Sequence, residues 1–141
     1  MSPRPKEIFL SHANGDRAKA DSVAKVLRAH GLKVWYSKTH IVGAEQWHDE
    51  IGEALRRCDW FVLLLSHASV SSMWVERELL FALQQPRYRN HIVPVVLEEC
   101  DFKKLSWTLS GIQMVAMRRF TKSTWTALLR ALKSKFDPAK A

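Results

Sequence analysis

Cysteine is scarce in this 141-residue chain: Cys58 and Cys100 stand far apart, outside any Cys-x-x-Cys spacing. Such a pair makes neither a disulfide framework nor a thiolate metal site, and both are expected to be ordinary reduced thiols. None of the six histidines (12, 30, 40, 48, 67 and 91) falls in a His-Glu-x-x-His or other metal-binding pattern, so no metal is expected. Long apolar runs are missing too. A bilayer-spanning helix needs about 20 apolar residues in a row, and the longest run here, Trp60 to Leu65, is about a third of that. The basic segment 1–6 is not followed by the apolar core of a signal peptide. These absences predict a cytoplasmic protein that does not engage membranes. No internal repeat is present.

What the chain does contain is enough apolar material for a core. Hydrophobic residues make up 47% and charged residues 26%, which fits one folded domain. We place it at residues 7–136, with a flexible N-terminus at 1–6 and a tail at 137–141. The net charge of +8 would suit nucleic acid, acidic membrane or a phosphate-bearing ligand. The basic residues are scattered, however: Arg56-Arg57, Lys103-Lys104, Arg118-Arg119, Lys133 and Lys135. No RNA-binding aromatic motif or helix-turn-helix signature accompanies them. A solvated basic surface is the expectation, with nucleic acid not a partner.

Periodicity divides the chain into five strand-helix units. Residues 6–11 read as a first strand, followed by a turn built on Asn14-Gly15, with Asp16 placed to cap the next helix. Ala20, Val23, Ala24 and Leu27 then repeat at helical spacing, and Gly31 ends that helix. Residues 32–36 form a second strand, 37–46 a polar loop able to fold over as a lid. A helix over 45–57 sets Trp47, Ile51, Leu55 and Cys58 on one side. Trp60 to Leu65 is apolar without alternation, as befits a central strand of a parallel sheet. A helix follows over about 72–85. Residues 91–97 form a fourth strand in which Pro94 is awkward, because proline cannot donate to a ladder. A long loop over 98–111, with one helical turn at most, leads to a fifth strand over 112–117. The last helix packs Trp125, Leu128, Leu129 and Leu132 inward. Alternating strands and helices predict an α/β fold: a flavodoxin-like three-layer sandwich, its five-stranded parallel sheet in the order 2-1-3-4-5 with helices on both faces.

In that order the loops after strands one and three border a crevice at the C-terminal strand ends, where ligands bind. The segment Ser71-Ser72-Met73-Trp74-Val75-Glu76-Arg77-Glu78-Leu79 opens the helix beside it. Ser71 or Ser72 can cap that helix. Trp74 and Glu78, four apart, share one helical face. An indole and a carboxylate together at a crevice make the candidate site. The plainer readings are Glu78 as a solvent-facing residue paired with Arg77, and Trp74 as a core anchor. Trp47 and Trp125 lie on apolar stripes and read as core; Trp107, in the long loop, reads as exposed.

Three segments together resemble a Toll/interleukin-1 receptor (TIR) domain of the bacterial, NAD-consuming kind. Ile8 to Ala13 with Asp16 resembles the family's first strand and entry loop. Gly43 to Trp47, then Ile51 and Leu55, resembles the loop after strand two and its helix. Trp74-Val75-Glu76-Arg77-Glu78-Leu79 resembles the Trp-x-x-x-Glu segment of the catalytic members. Ile92-Val93-Pro94-Val95 matches the family's fourth strand, proline included. The likeness covers nearly the whole of 6–136. The chain departs in placing Gly43 four residues before Trp47, a spacing often shorter in the family, and in Val75, where many members carry cysteine.

The resemblance implies cleavage of the nicotinamide–ribose bond of NAD+, to ADP-ribose or a cyclic isomer, with NAD+ as substrate and no cofactor. It implies Glu78 as the catalytic carboxylate and Trp74 as a face for nicotinamide or sugar. Ser11, His12 and Asn14 would line the floor, and Trp35, Tyr36 and Lys38 one wall. Implied partners are further TIR domains, by self-association, and an effector that senses the nucleotide product, in anti-phage defence or signalling. Two other functions stay open: a non-catalytic adaptor acting by TIR–TIR association, and another flavodoxin-like nucleotide handler such as a nucleoside deoxyribosyltransferase.

Overall fold

A computed structural model describes residues 4–37 and 45–140, without the side chains of 45–48. Strands β1 (Ile8–Ser11), β2 (Val34–Trp35), β3 (Trp60–Leu65), β4 (Ile92–Val96) and β5 (Val115–Ala116) form one parallel sheet in the order β2-β1-β3-β4-β5. The expected order is borne out. Helices α1 (Arg17–Ala29), α2 (Glu45–Arg57), α3 (His67–Val70), α4 (Met73–Leu83) and α5 (Lys122–Ala131) join and flank the strands.

Strand alternation splits the core into two layers. On one face, Ile8, Leu10, Val62, Leu64 and Val95 pack against Ala20, Val23, Ala24 and Leu27 of α1 and Trp125, Leu128 and Leu129 of α5. On the other, Phe9, Phe61, Leu63 and Leu65 pack against Ile51 and Leu55 of α2 and Val75, Leu79 and Ala82 of α4. Every residue of β3 is buried, as its unbroken apolar run requires.

Several boundaries differ from the sequence expectation. The outer strands are shorter: β2 keeps two residues of the expected five, and β5 two of six. Each has a strand on one side only, so fewer ladder bonds hold it extended. The helix expected to begin near Ser72 is preceded by a separate short one, α3, nucleated by a capping box between Ser66 and Ser69. Ser71 closes α3, and Ser72 caps α4 by accepting from the Val75 amide at 3.3 Å. The loop over 98–111 holds two 3-10 turns, Phe102–Lys104 and Trp107–Gly111, where one turn was expected.

Pro94 sits in β4 without cost to the ladder. The Phe61 amide donates to the His91 carbonyl at 2.9 Å, and the Met117 amide to the Val96 carbonyl at 2.9 Å. Alternation therefore turns Ile92, Pro94 and Val96 toward β5, which begins only opposite Val95. No strand lies across from the nitrogen that lacks a proton.

The segments read as free ends carry contacts. Arg4 donates to the His30 carbonyl at 3.2 Å, the Lys6 amide to Asp59 at 3.0 Å, and the Asp137 amide to the His30 ring at 2.9 Å. No helix among the described residues is long and apolar enough to cross a membrane.

Candidate active site

The buried stripe of α4 reads Val75, Glu78, Leu79, Ala82. Glu78 thus occupies a position where helical spacing asks for an apolar side chain. Its residue is 4% exposed, so the reading of Glu78 as a solvent-facing partner of Arg77 fails. Arg77 instead lies over the Trp74 ring, 5.6 Å from its centre. The α4 face that carries Glu78 packs on the sheet face that carries Phe9. Two residues along β1, on that same face, stands Ser11. Its hydroxyl, on a residue 1% exposed, donates to Glu78 Oε1 at 2.7 Å. The bond spans the C-terminal end of β1 and the helix that follows β3, at the switch point of the sheet.

A carboxyl group placed there titrates abnormally. Removal from water disfavours the charged form, and the Ser11 hydrogen bond recovers only part of that loss. Burial pushes Glu78 up from 4.5 to about 8. In this structure it is mostly the neutral acid near pH 7, because one hydroxyl is a small replacement for a hydration shell.

Trp74, at the first turn of α4, is half-buried: neither sealed in the core nor detached from it. Trp35 is also half-buried and shares Glu78's side of the sheet, its ring centre 5.2 Å from that of Phe9. Asn14 is exposed in the turn after β1. His12 and Tyr36 go elsewhere. Their rings meet edge to face at 5.7 Å, and Tyr36 packs in the α1-side layer. The Tyr36 hydroxyl donates to Asp21 at 2.6 Å; burial, then that bond, raises its pKa. The His12 ring nitrogens lie 2.8 Å from the Ala13 carbonyl and 3.0 Å from the Ser37 carbonyl, stitching the loop after β1 to the end of β2. The structure therefore brings Ser11 to Glu78, keeps Trp74 and Trp35 on the same side, and sets His12 and Tyr36 against the other layer. Lys38, Gly43, most of the expected lid and the Trp47 side chain lie outside the described residues.

The two crevice loops are linked by a contact the sequence reading missed. Asp16 makes no capping bond to α1. Its buried carboxylate accepts instead from the Ser66 hydroxyl, across the entrances to both loops. The Ser66-x-x-Ser69 spacing was the legible signal; the partner across the sheet was not. No cluster of metal-binding side chains occurs among the described residues.

Comparison with known proteins converges on one family. Residues 8–132 match the family model for the TIR domain. Over 125 residues, the chain is 28% identical to the NAD(+) hydrolase PdTIR of Paracoccus denitrificans (strain Pd 1222). That alignment takes in 86% of this chain but 42% of the hydrolase, so this chain spans less than half of that relative's length. Among solved structures, the fold is similar to the TIR domain of the Toll-related receptor TRR-2 from Hydra magnipapillata, at a TM-score of 0.70 and 14% identity over 90% of this chain and 98% of that one. It is also similar to a metazoan TIR-STING receptor from C. gigas in complex with 2',3'-cGAMP, at a TM-score of 0.69 and 18% identity over 93% of this chain and 40% of that one.

Proposed function

The chain belongs to the TIR domain family, and from that membership we propose that it is an NAD+ hydrolase whose single catalytic carboxyl group is Glu78. The observation that carries the reading is Glu78 itself: an acidic side chain on the core stripe of α4, held by Ser11 at the switch point. A stable fold has no use for a carboxyl group there, since a buried acid costs stability that an apolar residue would not. Such groups mark functional sites. The 28% identity to a protein named as an NAD(+) hydrolase supports the substrate.

One carboxyl group suffices for this bond. Glycosidases commonly pair two carboxylates, one of them to protonate a poor leaving group. Nicotinamide in NAD+ is already cationic. When the C1′–N bond breaks, its electron pair stays on nitrogen and the base departs neutral. The positive charge left on the ribose is what the enzyme must stabilise, and an ionised Glu78 in a partly dry site does that well. Water then bonds to C1′ and its proton passes to the carboxylate.

The raised pKa couples ionisation to binding. The pyridinium charge of bound NAD+ favours the carboxylate, opposing the burial that keeps the free domain's Glu78 protonated. Trp74 and Trp35 supply ring faces on the same side. We take the active form to be an assembly of TIR domains, with release as ADP-ribose or as a cyclic isomer.

The test is nicotinamide release from NAD+ by the purified chain at several protein concentrations, with chromatography of the products. Glu78→Gln and Glu78→Ala should each abolish it. Turnover equal to wild type in both variants would remove Glu78 from the chemistry. Absence of turnover at every concentration, with clear self-association, would make the chain an adaptor.

A further inference from the structure

A concave site lies at the opposite end of the sheet from Glu78. It exists because β5 is short. Its two residues pair with Val95 and Val96, leaving no strand on that side of the first three residues of β4. The end of α4, the segment leading into β5 and the last turns of α5 surround that gap without filling it. The result is a cavity of about 990 Å³. Pockets that enclose small organic ligands commonly run from about 300 to 1,000 Å³.

Its charge is one-sided. Arg89, Arg130 and Lys133 line it, and no aspartate or glutamate does. Lys133 holds its place at some cost: it follows the end of α5 at φ 59°, a left-handed conformation that helix ends usually give to glycine. Asn90, also in the lining, takes φ 64°. Beneath the cations the wall is mixed, with Leu83, Pro86, Ile112 and Met114 beside Gln84 and Gln113.

Trp60 lines the cavity, is 1% exposed, and stacks on His91 with ring centres 4.3 Å apart. Its indole N–H is buried with no acceptor among the described residues. A buried donor left unpaired is uncommon in folded proteins, and each instance calls for an explanation. By the alternation set out above, the backbone of Ile92 also faces this gap.

We propose that this cavity is a binding site for a phosphate-bearing organic anion of nucleotide size, separate from the Glu78 site. The phosphate is held by Arg89, Arg130 and Lys133. The body of the ligand lies on the apolar wall, beside the Trp60 ring. Charge-assisted bonds from guanidinium and ammonium groups make such a rim selective for phosphate over neutral ligands. The proposal stands whether or not the chain cleaves NAD+.

The experiment is a titration of ¹⁵N-labelled Glu78→Gln protein with AMP, followed through the tryptophan indole signals; adenosine and inorganic phosphate serve as controls. The Trp60 signal is identified by its loss in Trp60→Phe. A saturable shift of that signal by AMP, with adenosine weaker, is the expected result. The surface double variant Arg130→Ala, Lys133→Ala should bind AMP about tenfold or more weakly, the ordinary consequence of losing hydrogen bonds to charged groups. An AMP response confined to other indole signals, a shift that never saturates, or unchanged affinity in the double variant would overturn the proposal.

Discussion

Replacing Glu78 by glutamine should stabilise the domain, and by an amount that grows with pH. The carboxyl group is pushed up from 4.5 to about 8, chiefly by burial, so the folded state holds a proton that the unfolded chain releases. A raised carboxyl pKa contributes its full stability below the unfolded value and loses it as pH rises toward the folded one. At about 1.4 kcal/mol per unit, ionisable Glu78 penalises folding at pH 7 by on the order of 3 kcal/mol relative to a side chain that cannot ionise. Most of that accumulates between pH 5 and pH 7, where the advantage of Glu78→Gln should widen by roughly 2–3 kcal/mol before flattening above about pH 8. The glutamine amide brings its own cost, because its N–H₂ group enters a site whose known partner, Ser11, donates. That cost, about 1–3 kcal/mol for an unpaired buried donor, does not vary with pH. The reading is therefore the slope, not the offset. Urea unfolding of both proteins by tryptophan fluorescence, at intervals from pH 5 to 9, measures it. Stability curves that run parallel across that range would refute the burial argument.

Three further outcomes follow from the same structure. Ser11→Ala removes a hydrogen bond that favours the Glu78 carboxylate, so the pKa of Glu78 should rise further; a ¹³C carboxyl titration would detect it, and no change would show that Ser11 does not act on Glu78. Glu7 is held below the usual carboxylate range, first by its hydrogen bond with Arg57 at 2.9 Å. Its contribution is present above pH 4.5 and fades as pH falls through its lowered folded value. Because Arg57 is half exposed, Glu7→Gln should cost only about 1 kcal/mol near neutral pH and nothing in strong acid, as measured by thermal unfolding. Leu63→Ala, in the middle of the fully buried strand, should cost about 3 kcal/mol or more by urea unfolding, from lost transfer energy and the cavity left behind.

What could be read from the chain beforehand was whatever depends on local repetition. The α1 stripe of Ala20, Val23, Ala24 and Leu27 is the buried set observed, and the unbroken run from Trp60 to Leu65 is the central strand. Those patterns, with right-handed crossovers, were enough for the sheet order. The ends of β2 and β5 were not legible, because apolar residues continue past the point where the ladder to the neighbouring strand stops. Asp16 had the right position for a cap, but it accepts from a hydroxyl fifty residues away instead, and no local pattern encodes that. The same limit applies within the site. Spacing puts Trp74 and Glu78 on one face, yet the protonation of Glu78 depends on how completely β1 and α4 exclude water from it. Tyr36 and His12 lie near the right loops in sequence, but strand alternation turns Tyr36 into the other layer. The cavity at Trp60 escapes sequence reading for a similar reason: it is made by the absence of strand where β5 ends early.

The claim that one buried acid breaks the nicotinamide bond is tested most directly by the pH dependence of kcat/KM for nicotinamide release from NAD+, which reports ionisation in the free enzyme. The wild-type profile should climb with pH to half its plateau at about 8, where Glu78 loses its proton, and Glu78→Gln should release no nicotinamide at any pH. A flat profile, with the glutamine variant still turning over, would contradict the account.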